Sequence, residues 1–127
     1  MITEDYVSFE VAKLLKEKGF EEEIWGYYPI KGDGIGLFRR SGVEYNHNNS
    51  QVQISAPTLQ MAQKWLRERH KIVCNICIES RNFYYYDIFL IRSDAEAQFQ
   101  LVSPKPYYVT YESACNAGIK YCLEKFV

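Results

Sequence analysis

The sequence predicts one α+β domain spanning 1–127, with the element order α-β-β-α-β-β-β-α, an antiparallel sheet and a C-terminal three-stranded meander. Three observations carry that expectation. Apolar residues recur at helical spacing in three separate segments. Between the second and third of these the period drops to two, and the connections joining the period-two runs are short. Composition agrees: 127 residues, 47% hydrophobic and 24% charged, describe a chain of ordinary domain size that can bury a core.

The first helix is expected at residues 8–18. Val7, Val11, Leu14 and Leu15 share one side, and Glu10, Lys13, Lys16 and Glu17 take the other. Ser8 is its N-cap, and Gly19 takes the left-handed position past its end, with Phe20 folding back onto Leu15. IWGYYPI (24–30), the turn signal KGDG (31–34) and IGLFRR (35–40) then read as a β-hairpin. The pattern is lost over 41–55, SGVEYNHNNSQVQIS, apart from a short strand at 52–54, which makes this loop the first place to look for disorder.

PTLQMAQKWLRERH (57–70) is the clearest helix, capped by Ser55 or Thr58. Leu59, Met61, Ala62, Trp65 and Leu66 fill one arc, and Arg67, Arg69 and His70 gather where the helix dipole favours positive charge. In KIVCNICIES, residues Ile72, Cys74, Ile76 and Ile78 alternate with Val73, Asn75, Cys77 and Glu79. NFYYYDIFLI (82–91) is apolar on both sides, which places it centrally in a sheet covered twice. AQFQLVS (97–103) is a half-exposed third strand, and SPKP enforces an extended passage. The last helix opens at Tyr111 behind Thr110, with Cys115, Gly118, Ile119, Cys122, Leu123 and Phe126 on one stripe. The helices at 57–69 and 111–126 are expected on one face of the meander. The N-terminal helix and hairpin, or a second copy of the chain, are expected on the other.

Charge narrows the function classes. A net charge of -1, from 15 basic and 16 acidic side chains, provides no field favouring nucleic acid or an acidic membrane. No run approaches the roughly 20 apolar residues of a membrane span, and the acidic start MITEDYVSFE differs from a secretory signal. The expected location is the cytoplasm, where the four cysteines are reduced thiols.

Cys74 and Cys77 have CxxC spacing, yet in a strand they point to opposite faces, so no metal, cofactor or redox role is expected of them. His47 has only Glu44 and Asp33 as acidic neighbours in sequence, and GDGIG lacks both the GxGxxG spacing and a following helix, so no catalytic residue is assigned. What stands out is 11 tyrosines. Tyr27, Tyr28, Arg39, Arg40, His47, Tyr85, Tyr107 and Tyr108 are the candidate binding surface, for a protein partner or a second copy, with a nucleic acid or small ligand as the alternative occupant. Asp87, the one charge in its strand, needs a hydrogen-bonding partner if buried.

Two resemblances bear on these segments. The α-β-β-β-α order from Pro57 resembles the double-stranded-RNA-binding domain, and SACNAGIKYCLEKF is similar to that family's final helix. The family opens this helix with lysines that grip phosphate; here Thr110, Tyr111, Glu112 and Ser113 stand instead, so the resemblance implies topology and no RNA binding. YVSFEVAKLLKEKGF, APTLQMAQKWLRERH and YESACNAGIKYCLEKF resemble small uncharacterised proteins of gut bacteria and their phages or mobile elements. That resemblance implies a phage or mobile-element setting and no activity.

Overall fold

The computed structural model describes residues 1–31, 36–39, 44–80, 82–91, 98–102 and 107–127. Most of the expected turn at 31–34, Arg40, and the passage 103–106 lie outside the described residues. The chain is α+β, with three helices and two small antiparallel sheets among the described residues. The described residues form two compact units, Met1–Gln60 and Met61–Val127.

In the first unit, α1 (Phe9–Glu17) starts where the Ser8 hydroxyl accepts the Val11 N–H at 3.2 Å. It ends at Gly19, whose φ of 90° is open to glycine and strained for other residues. The chain then turns back so that the Phe20 N–H reaches the Leu15 carbonyl at 2.9 Å. Val7, Val11, Ala12, Leu15 and Phe20 are all buried, so the apolar stripe of α1 and its end-contact form one core.

Beside that core lies a sheet of order β2-β1-β3, built from β1 (Gly26–Pro29), β2 (Phe38–Arg39) and β3 (Gln53–Ser55). β1 is the central strand, and nothing larger than glycine fits at its position 26. A Cβ there would stand 2.5 Å from the Ala56 carbonyl oxygen and 3.0 Å from the Tyr6 ring. Tyr28 faces inward, stacked on Phe9 at 5.6 Å with its hydroxyl donating to the Val7 carbonyl at 2.7 Å.

The segment expected to be patternless is instead a polar wedge. A single 3-10 turn, His47–Asn49, begins with the Asn46 side chain accepting the Asn48 N–H, and His47 is wholly buried. Asn48 joins two strangers in sequence: its amide nitrogen donates to the Phe20 carbonyl and its oxygen accepts the Ser55 N–H, each at 2.8 Å. The Lys16 ammonium donates to the carbonyls of Ser50 and Gln53 at 3.1 and 3.2 Å. Together these side chains occupy main-chain groups along the outer edge of β3, which an unpaired strand would expose.

Ser55 is the exception in this wedge. Its hydroxyl is buried and has no hydrogen-bond partner among the described residues. Ser55→Ala is expected to raise stability by about 1 kcal/mol, the desolvation cost of an unpaired hydroxyl. A urea titration in which the midpoint falls instead would show that the hydroxyl has a partner.

The second unit takes in most of α2 (Leu59–His70). Leu59, Ala62, Trp65 and Leu66 are buried as the arc predicts, whereas Met61 is 38% exposed. Met61 lies at the margin of that arc, beside Glu68 and Lys64. Lys71, alone and with φ 58°, turns the chain from α2 directly into β4 (Ile72–Ser80). β4, β5 (Phe83–Ile91) and β6 (Gln98–Val102) pair antiparallel in that spatial order.

α3 (Tyr111–Lys125), capped by the Thr110 hydroxyl accepting the Ser113 N–H at 3.0 Å, covers one face. Its Ala114, Cys115, Gly118, Ile119, Cys122 and Leu123 are buried, as are Ile72, Cys74, Tyr86 and Ile88 of the sheet. Gly118 permits this approach, since a Cβ there would lie 2.5 Å from Cys74 Sγ and 3.0 Å from the Tyr86 ring.

The other face of β4 and β5 is only half covered. Val73, Cys77, Tyr85, Asp87 and Phe89 are intermediate in exposure, while Phe83 is 45% and Ile91 38% exposed. Within the unit its cover is Tyr107, whose ring lies 6.5 Å from Phe83 and 5.9 Å from Tyr85. Tyr107 is held there because Tyr108 and Tyr84 exchange main-chain hydrogen bonds of 2.7 and 2.8 Å. No helix of the described residues is long and apolar enough to cross a membrane.

Candidate functional site

Strand alternation divides the tyrosines of β1. Tyr28 turns inward, and Tyr27 with Pro29 takes the opposite face of the first sheet. There Tyr27 is sandwiched, with the Phe38 ring 5.7 Å away on the neighbouring strand and the His47 ring 4.6 Å away. Tyr45 meets His47 edge-on at 5.3 Å. Three rings thus run in contact from an exposed Phe38 to a buried imidazole, and Tyr45 follows beyond it.

Both ring nitrogens of His47 are engaged. Nε2 lies 3.2 Å from the Ile24 carbonyl, which can only accept, so Nε2 carries a hydrogen. Nδ1 lies 3.0 Å from the Gln53 carboxamide oxygen. The carboxamide rotates to suit, giving its NH2 to a neutral ring and its oxygen to an imidazolium. His47 therefore fixes Tyr27 by stacking and Gln53 by hydrogen bonding.

Above them is an open groove of about 410 Å³ lined by Tyr27, Pro29, Lys31, Phe38, Val52 and Gln53. That volume lies toward the lower end of the range of about 300–1,000 Å³ for ligand sites. Val52 is 65% and Phe38 50% exposed, so the groove offers apolar surface to solvent. Among the described residues, its cation is Lys31 and its amide is Gln53.

The structure distributes the candidate residues over both units. Tyr27 lines the groove. His47 is a correction: it lies beneath the surface, because the wedge that carries it fills the space under Tyr27 and satisfies both nitrogens there. Tyr28 is likewise inside and spent on Val7. Arg39 pairs with Gly26 through the main chain, and Arg40 lies outside the described residues. Tyr85 and Tyr107 pack on each other in the second unit, and half-buried Tyr108 lies 6.3 Å from Tyr86. Sequence reasoning missed Pro29, Lys31, Phe38, Val52 and Gln53 as a lining. Val52 and Ile54 alternate visibly, but no pattern tells that this short strand pairs with β1.

The four thiols belong to the second unit. Cys77 donates to the Asp87 carboxylate at 3.5 Å and receives the Asn75 amide at 3.5 Å, so the partner anticipated for Asp87 includes a thiol. Burial raises the Cys77 pKa, and Asp87 raises it further. Cys74 is pushed well up by its hydrogen bond with Cys122 and by burial, and burial with the Glu112 charge lifts Cys115 to about 12. These are thiols held in the neutral form, unsuited to nucleophilic attack. Among the described residues, no group of three or more His, Cys, Asp or Glu could hold a metal ion.

A pH dependence follows. Unfolded thiols ionise near pH 8.5, whereas folded Cys115 does so only near 12. The stability from this thiol is whole below about pH 8.5 and is lost as pH rises toward about 12, because the unfolded state releases its proton first. Urea unfolding at pH 8 and 10 should show the loss, and Cys115→Ala should reduce it. An unchanged pH slope in the variant would contradict the assignment.

No protein-family model, curated protein or solved structure matches this chain.

Proposed function

We propose that this chain is a small non-catalytic interaction module that receives an apolar side chain of a partner protein in the groove of its first sheet. The observation that carries the reading is the exposed Phe38 and Val52 beside a Tyr27 that is fixed from below by buried His47. Apolar, aromatic lining with few polar groups is the usual chemistry of a recognition pocket, and a ring stack held rigid loses little entropy on binding. Lys31 at the margin favours a partner segment with an acidic residue beside its anchor.

The placement of α2 and α3 on one face of the second sheet belongs to the same proposal. Its support is the burial of Cys74, Tyr86 and Ile88 on that face. A phage or mobile-element setting is likewise proposed, on the three helical phrases that suggest it.

Selection of a displayed random-peptide library against the wild-type protein and against Phe38→Asp tests the groove. Peptides with an aromatic or leucine anchor next to Asp or Glu should be enriched on the wild type and lost on the variant. Equal enrichment on both proteins, or none on either, would remove the reading. A small aromatic carboxylate, titrated while the amide signals of Tyr27 and Val52 are followed by NMR, distinguishes the alternative of a small ligand.

A further inference from the structure

The two sheets treat their edges differently. On β3, Asn48 and Lys16 occupy outward main-chain groups at Ser55 and Gln53. On β4 the pattern can be read from its pairing with β5. The Ile91 N–H donates to the Lys71 carbonyl, so odd-numbered residues of β4 turn their main chain toward β5 and even-numbered ones turn it outward. The Cys74 carbonyl fits this, since the Gln63 side chain takes it from outside at 3.0 Å. For Ile76 and Ile78, the next two outward residues, no partner is recorded among the described residues, and the Ile78 side chain is 61% exposed. An apolar strand edge in this condition is a template for another strand.

The sequence at that edge names its occupant. Asn75-Ile76-Cys77-Ile78-Glu79 is nearly symmetric about Cys77. A two-fold axis through Cys77 in an antiparallel pairing sets Ile76 against the partner's Ile78 and the reverse. The outward groups of these two residues then form a ring of four main-chain hydrogen bonds across the axis. The same register brings the amide of Asn75 toward the partner's Glu79, which lies in the β-bulge between Ile78 and Ser80, a donor toward an acceptor. A slip by one step to either side would lose this match, and a slip toward Cys74 would meet the carbonyl already held by Gln63. We infer that a second copy of this chain docks on the β4 edge, antiparallel and centred on Cys77, so that two three-stranded sheets become one of six strands. The interface is independent of the groove.

Two measurements on the full chain test this. Sedimentation velocity over a wide concentration range should show a monomer–dimer equilibrium. Ile78→Pro removes an N–H that points away from β5, so it spares the internal ladder and takes away two of the four bonds across the axis. Dimerisation should weaken at least about tenfold. Ile78→Lys, which keeps the N–H and places charge at the edge, should weaken it as well and guards against a proline variant that fails to fold.

The second measurement fixes register. Cys77 and its copy would face each other at a non-hydrogen-bonded position, with Cα atoms about 4.5 Å apart, within reach of a disulfide. Copper-phenanthroline in air, with dioxygen taking two electrons and two protons from the two thiols, should trap a reducible dimer that Cys77→Ser abolishes. A strict monomer at the highest concentrations, a dimer indifferent to both Ile78 variants, or a disulfide that forms only in denaturant would each overturn the inference.

Discussion

Gly118→Val is expected to lower stability by about 3 kcal/mol, the upper part of the usual range for overpacking a core. The space a side chain would need is already occupied by Cys74 Sγ and the base of the Tyr86 ring, both buried under α3. Helix propensity works the other way: alanine gains about 1 kcal/mol over glycine within a helix. The contact decides the outcome because Tyr86 meets the site with its Cβ at 3.1 Å, an atom that no rotamer change moves, and with its Cγ at 3.0 Å. The origin of the cost can be located by a cycle. Gly118→Ala should be distinctly less harmful in a Cys74→Ala background, where the sulfur is gone, with a coupling of roughly 1 kcal/mol between the sites. Urea unfolding of the four proteins measures it, and identical costs in both backgrounds would place the strain elsewhere.

His47→Ala is expected to cost about 3 kcal/mol as well, through a different mechanism. The substitution removes one of the two donors to the Ile24 carbonyl, which keeps the Tyr45 N–H, deprives Gln53 of its partner, and opens a void between Tyr27 and Tyr45. His47→Phe keeps a ring in the stack and loses only the hydrogen bonds, so it should cost about half as much. Thermal unfolding ranks the three proteins. If the phenylalanine variant is as unstable as the alanine one, hydrogen bonding and not ring packing holds the wedge. Both variants should also weaken any ligand of the groove, since Tyr27 and Gln53 would lose what fixes them.

These two sites mark how far the sequence could be read. The boundaries of α1 were legible because Ser8 and Gly19 are chemically particular, and the inward stripe of α3 was legible because its apolar residues keep one period. The faces of β4 and β5 were legible from alternation alone, down to the opposite directions of Cys74 and Cys77. Gly118 appeared only as a small residue on a stripe. That a sulfur and a tyrosine press on it depends on the register between α3 and the sheet, which local pattern does not encode.

His47 was illegible for a stronger reason. NHNN contains no apolar period, and polar residues in such a run are normally solvated. Here His47 is buried and Asn48 half-buried because each finds a main-chain partner far away in sequence: Ile24 for His47, Phe20 and Ser55 for Asn48. The same long-range bonds explain why the hairpin joins β3 in a sheet of its own. The groove inherits this, since three of its lining residues come from strands whose pairing only the wedge determines.

The single left-handed Lys71 between α2 and β4 has one more implication. With no slack in that junction, the rotational phase of the helix and the up-down parity of the strand are geared together. Adding one residue there would either spin α2 by about 100° or exchange the two sides of β4, bringing Asn75, Cys77 and Glu79 under α3 in place of Cys74 and Ile76. Homologous chains that vary in length should therefore keep this corner invariant in spacing and absorb their insertions elsewhere.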